Sequence, residues 1–180
     1  MTVSEQVGKQ DMVITRVFDA PRERVFTAFT EPRLVKKWYG PEGFTAPVIE
    51  AELRTGGRYL YCMESPEGID YWSAGVYREF TPPERIVAID SFADPEGNIV
   101  PASYYGLGGD WPLESEVVIS FEEEGGGTRI TIRQAGVPGG ADLDRVRRMR
   151  ERSLDRLAQV VDMGDGCRSK AGLGERREED

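Results

Sequence analysis

FTAPVIEAELRTGGRYLYCMESPEGIDYWSAGVYREFTPPERIVAIDSF, residues 44–92, decides the fold. Four runs rich in Val, Ile, Tyr and Phe, about 44–53, 57–63, 69–80 and 85–92, are punctuated by Gly56-Gly57, Pro66-Glu67-Gly68 and Pro82-Pro83. Such runs suit a pleated, half-buried surface, and Gly and Pro supply the turns between them. Links this short join antiparallel neighbours, because a parallel pair needs a crossover of a dozen or more residues. The segment therefore reads as an antiparallel meander.

Outward from it, Met12-Val13-Ile14-Thr15-Arg16-Val17-Phe18 is a further strand, preceded by a polar leader at 1–11. Asp19-Ala20-Pro21 and Thr30-Glu31-Pro32 are helix-start signals, since proline needs no amide partner in a first turn. Val25, Phe26 and Phe29 form the apolar stripe of one short helix, and Leu34, Val35 and Trp38 that of a second, which Gly40-Pro41 must end. On the far side, Glu116 to Glu123 and Thr128 to Gln134 make a hairpin about Gly125-Gly126-Gly127. Leu143, Val146, Leu154, Leu157 and Val161 then keep helical spacing from Ala141 to about Met163, with Gly164 as the expected stop and a disordered tail at 164–180. The class is α+β: a sheet of six to seven strands and one long C-terminal helix.

At 180 residues the chain suits one core, so residues 12–163 read as a single domain. The net charge of −9 repels a phosphate backbone and argues against nucleic acid as partner. No apolar stretch approaches the roughly 20 residues of a membrane span, so a cytoplasmic, unanchored protein is expected. Cys62 and Cys167 lie far apart and outside any metal spacing. Histidine is absent, which excludes Ser-His, Cys-His and His-metal mechanisms. No catalytic residue, metal or cofactor is assigned.

Several stretches together resemble a known family. Phe18-Asp19-Ala20-Pro21 with Val25-Phe26, and Trp38-Tyr39-Gly40-Pro41-Glu42-Gly43-Phe44-Thr45, are similar to the opening of the activator-of-heat-shock-protein-ATPase homologues of the START-like (SRPBCC) superfamily. Leu53-Arg54-Thr55-Gly56-Gly57, Gly75-Val76-Tyr77-Arg78-Glu79, Pro82-Pro83-Glu84-Arg85-Ile86-Val87 and Ser153-Leu154-Asp155-Arg156-Leu157 agree with it in order. The resemblance covers about residues 12–163 and implies a helix-grip fold: a curved antiparallel sheet around a long C-terminal helix, with a cavity between them. One position departs from the family. Members usually carry Gly-Trp just before Ser153, where this chain has Met149-Arg150.

Candidate ligand-binding residues follow from that geometry. Trp38, Tyr59, Tyr61, Met63, Trp72 and Tyr77 sit on segments that would line the cavity, and alternation puts Tyr59, Tyr61 and Met63 on one face. Tyr104 and Trp111 belong to a glycine-rich connection from Ala93 to Ser115, long enough to act as a lid or to sit as a static surface loop. Met149 and Arg150 fall on the long helix, Arg150 four residues from both Val146 and Leu154 and so on its inward face. A guanidinium there either anchors an anionic group or snorkels to water. Glu50, Glu52, Asp70 and Glu116 are the carboxylates one would test for acid–base work, though solvent-facing positions are their ordinary place. Asp144 with Arg148 has the spacing of a weak surface ion pair.

The expected function is non-catalytic binding of a small hydrophobic or amphipathic molecule between sheet and helix. The alternatives are a co-chaperone-like module acting on a chaperone or other protein, which the resemblance implies, and a cyclase or hydrolase type of enzyme. An exposed edge strand or the long loop would support a homodimer.

Overall fold

The structure is a computed structural model that describes the backbone of residues 9–107 and 110–175. Its elements are β1 (Lys9–Phe18), α1 (Arg22–Thr30), α2 (Pro32–Val35), β2 (Thr45–Ala51), β3 (Arg58–Glu64), β4 (Asp70–Thr81), β5 (Arg85–Ala93), a 3-10 turn (Ala102–Tyr105), β6 (Ser115–Glu124), β7 (Gly127–Pro138) and α3 (Ala141–Glu175). Seven strands form one antiparallel sheet in the order β1-β7-β6-β5-β4-β3-β2, so the meander read from the sequence runs unbroken from β2 to β7. The chain closes the order by returning β1 to the side of β7.

Two boundaries differ from the sequence reading. Lys9 and Gln10 already pair with Pro138 and Val137 across a bulge, so β1 includes the last residues assigned to the leader. The long helix passes Gly164 and continues to Glu175. Glycine costs a helix about 1 kcal/mol relative to alanine, and no proline follows to remove a backbone donor. Side chains beyond residue 162, and the leader at 1–8, lie outside the described residues.

One face of the sheet is covered by helices. Leu154, Leu157, Val160 and Val161 of α3 are buried with Met12 and Ile14 of β1, Ile130 and Ile132 of β7, and Val25 and Phe26 of α1. Phe26, Phe29, Phe80 and Phe121 meet edge-on or tilted at 4.8–5.5 Å and fill the end of the sheet beneath α1. Trp38, only 6% exposed, donates its indole N–H to the Ala28 carbonyl at 2.9 Å and lies 5.2 Å from Phe29. It ties α1 to the segment that follows α2. Leu53-Arg54-Thr55-Gly56-Gly57 folds back on β4, where Gly56 N–H and Gly57 C=O bracket Tyr77 at 2.7 and 2.9 Å.

Arg156 fastens α3 to the short-helix region. Its Nη1 donates to the carbonyls of Gly40 at 2.8 Å and Pro41 at 3.1 Å and reaches that of Tyr39 at 3.5 Å, while Nη2 reaches the carbonyl of Lys37 at 3.1 Å. These acceptors trail a helix of one turn and have few partners of their own, so one planar fork serves a whole loop. On the other side of the helix, Asp155 pairs with Arg16 of β1 at 2.6 Å, and Arg147 Nη1 donates to Val13 C=O at 2.9 Å. Arg156→Ala should lower the unfolding free energy by about 1–3 kcal/mol in urea or thermal denaturation. Arg156→Lys should recover only part of that, because a point charge cannot serve four carbonyls at once. A change of less than about 0.5 kcal/mol for Arg156→Ala would show that water serves them equally well.

Candidate functional site

Strand alternation and register assemble a polar layer inside an otherwise apolar interior. Tyr59 pairs with Gly75, and Gly75 with Asp90. Tyr61 pairs with Ser73, which pairs with Phe92; Tyr77 pairs with Ala88, then Val117, then Gln134. Opposed residues of an antiparallel sheet share a face, so these side chains rise from one surface toward α3. Arg150 comes down from α3 and donates from Nη2 to Gln134 Oε1 at 2.7 Å. Tyr59 donates its hydroxyl to Asp90 Oδ1 at 2.6 Å, and the hydroxyls of Tyr39 and Ser73 lie 3.3 Å apart. The tyrosine rings touch one another: Tyr59 is 5.2 Å from Tyr61 and 5.1 Å from Tyr77, and Tyr39 is 5.1 Å from Tyr61. Gly75 makes this possible, because the Tyr59 ring lies across it where any Cβ would stand.

Protein surrounds this layer closely enough for burial to dominate its proton chemistry. Burial pushes the Asp90 carboxyl above its ordinary range, against the Tyr59 hydrogen bond and the Arg150 guanidinium, which both pull it down. Burial also raises Tyr39, Tyr59, Tyr61 and Tyr77, with the Asp90 charge adding to the rise of each. The tyrosines are therefore neutral hydrogen-bonding groups at physiological pH. Yet Tyr39, Tyr59, Tyr61, Asp90 and Arg150 each keep some accessible surface. Ile86 and Ile132, on the apolar rung beside them, are 2% exposed. Tyr77 and Gln134 of the same layer are buried, so its accessible surface lies at Tyr39, Tyr59, Tyr61, Asp90 and Arg150. Two donors, Arg150 Nε and Trp111 Nε1, are sealed without a hydrogen-bond partner.

The expected site residues divide. Tyr59, Tyr61, Tyr77 and Arg150 meet in this layer. Met63 shares their face but pairs with Tyr71 at the end of the strand, near Gly40. Trp111 reaches the inner face through Phe92, edge to face at 5.8 Å. Trp72 does not, since it pairs with Cys62 and Ala93 on the opposite surface of the sheet. Trp38 is spent on the α1 contact, Tyr104 is 56% exposed, and Met149 lines a groove outside the helix. Glu50, Asp70 and Glu116 on their strands, and Glu52 just after β2, are exposed, the ordinary place of a carboxylate. Asp144 and Arg148 make no ion pair among the described residues, and an exposed pair of long side chains gains too little to hold one geometry.

The connection from Ala93 to Ser115 is pinned more firmly than a glycine-hinged lid. Ile99 bridges to Ala93, and the Tyr105 hydroxyl enters the β4–β5 ladder, accepting from Trp72 N–H at 3.0 Å and donating to the Ala93 carbonyl. Its ring stacks on Tyr71 at 5.5 Å, so the connection covers this end of the inner face. Cys62 is fully buried, and burial, with Asp70 and Glu64 nearby, pushes its thiol up to about 11, which leaves it unreactive.

Asp90, Ser73, Gln134 and Tyr39 are the members that sequence reasoning missed. Asp90 had a signal: Ile86, Ala88, Asp90 and Phe92 have one parity, so the carboxylate occupies an inward position of the strand. A raised carboxyl means the native state holds its proton more tightly than the unfolded chain does, so Asp90 lowers stability as pH rises from the ordinary carboxylate range toward its raised value. Asp90→Asn keeps an acceptor for Tyr59 and removes that penalty. Its stability relative to the parent should grow as pH rises through this window, followed by urea unfolding at successive pH values. A constant difference would contradict the raised carboxyl.

Residues 19–162 match the family described as Activator of Hsp90 ATPase homolog 1-like protein. A Chromobacterium violaceum crystal structure superposes with a TM-score of 0.70 at 31% identity, over 84% of this chain and 96% of that one. A Mycobacterium smegmatis protein gives 0.66 at 28% identity, over 86% and 89%. A Silicibacter pomeroyi structure titled as an AHSA1 protein gives 0.66 at 21% identity, over 86% and 99%, a likeness of fold alone. No curated protein matches. The family match begins just after β1 and spans β2 to β7, both short helices and the buried part of α3, and the chain belongs to the Activator of Hsp90 ATPase homolog 1-like family.

Proposed function

We propose that this protein binds a small amphipathic molecule between its sheet and α3, with its apolar part on the tyrosine rings and its polar end toward Arg150. The observation that carries this reading is the polar layer itself: Arg150, Asp90 and three tyrosines keep accessible surface on the helix-covered side of the sheet, beside a rung of buried apolar residues. Apolar walls with a few convergent polar groups are the usual make-up of a small-molecule site. Arg150 Nε and Trp111 Nε1 add two sealed donors with no acceptor. An unsatisfied sealed donor costs about 1–3 kcal/mol, which a ligand oxygen brought in with a small side-chain shift would return. The ligand class that fits is one with an acceptor at the end of an apolar or aromatic body, such as a carboxylic acid.

The test is native mass spectrometry of the purified protein, followed by thermal shifts with fatty acids and aromatic carboxylic acids. A bound mass, or a melting temperature that climbs with ligand concentration, is expected, since ligand at about 100 times Kd adds about 2.7 kcal/mol. Arg150→Ala should weaken binding by about tenfold or more, through loss of a charge-assisted hydrogen bond. Apo protein only, with no shift from either ligand class, would refute the proposal.

A further inference from the structure

A second recognition surface lies outside α3, on the side away from the polar layer. A groove of about 280 Å³ runs between the helix and the loop before β2, lined by Pro41, Phe44, Arg145, Arg148, Met149 and Arg152, with Glu42 at its edge. It continues past Arg152 and Glu42 to Asp155, Arg156 and Gln159 as a further groove of about 460 Å³. From residue 145 to 159 the track follows about 21 Å of helix. Its first part is smaller than the roughly 300–1,000 Å³ of ordinary small-molecule pockets, and the whole is elongated. That shape suits an extended chain better than a compact ligand.

Its charge is opposite to that of the protein. The chain carries a net −9, but four arginines, Arg145, Arg148, Arg152 and Arg156, line the track against two acids, of which Asp155 pairs with Arg16 at 2.6 Å. Arg156 is itself committed to the carbonyls of the 37–41 loop. Arg148 and Arg152 are exposed, and no carboxylate among the described residues pairs with either. They stand four residues apart on the helix, about 6 Å along its axis, close to the about 6.8 Å between alternate side chains of an extended peptide. Facing them, Phe44 and Pro41 offer an apolar wall, and Met149 lies between the two arginines in sequence.

We infer that this groove binds an acidic, extended peptide segment of another protein, with alternate carboxylates on Arg148 and Arg152 and the intervening apolar side chain against Phe44 and Pro41. The probe is a fluorescein-labelled peptide, Asp-Glu-Leu-Asp-Glu, titrated with full-length protein and followed by fluorescence polarisation. Saturable binding of the order of 100 μM or tighter is expected at low salt, weakening as salt is raised. Arg148→Gln/Arg152→Gln should weaken it by about tenfold or more, and a peptide with Ser in place of Leu should also bind less well. Arg150→Ala should leave it unchanged, which separates this surface from the interior site. Circular dichroism and melting curves check that the doubly substituted protein folds, and Arg148→Glu/Arg152→Glu should abolish binding. Affinity unchanged by both double substitutions would overturn the inference, as would failure to saturate. Arginine-dependent binding to phosphatidylserine vesicles without binding to the peptide would overturn it in favour of a membrane surface.

Discussion

Arg150 and Asp90 share one interior and make no direct ion pair, and the rest of the site is arranged around that constraint. A buried charge is costly unless neutralised or hydrogen-bonded. Here each is given a neutral partner: Gln134 takes the guanidinium at 2.7 Å, and Tyr59 gives its hydroxyl to the carboxylate at 2.6 Å. The charges still feel each other, since Arg150 draws the Asp90 carboxyl down while burial pushes it up. Such a layer costs stability in the empty protein, and a ligand able to complete the hydrogen bonding would recover it.

Around this layer the fold is held in ordinary ways. Rings close the end under α1, aliphatic side chains close the rungs over β1 and β7, and Arg156 ties the helix to the loop after α2. That last contact joins two of the stretches that carried the family resemblance, Trp38 to Thr45 and Ser153 to Leu157. A second pair, Leu53 to Gly57 and Gly75 to Glu79, meets at the Tyr77 backbone. The motifs are thus contacts of the architecture, and function has to be argued from the site they frame.

Local patterns made most of the fold legible. The strands announced themselves by β-branched and aromatic runs between Gly and Pro, and α3 by 3.6-residue spacing, which also put Arg150 on the inward face. What could not be read locally depends on register. Trp72 looked like Tyr59 and Tyr61 until its pairing with Cys62 put it on the opposite surface, and Asp90 looked like any strand carboxylate until its parity with Ile86 and Ala88 was followed. Tyr39 and Ser73 come together across 34 residues of sequence. Gly164 does not end the helix, because glycine weakens a helix without removing a backbone donor.

The proposed binding of a small molecule requires that the polar layer beside α3 admit water or a ligand. A high-resolution crystal structure, read at the Arg150 guanidinium, the Asp90 carboxylate and the Trp111 indole, tests it most directly. The account predicts density for ordered water or a bound small molecule bridging these groups, with Arg150 still directed at Gln134. Continuous contact between side chains with no intervening density, or Arg150 turned out to solvent, would contradict it.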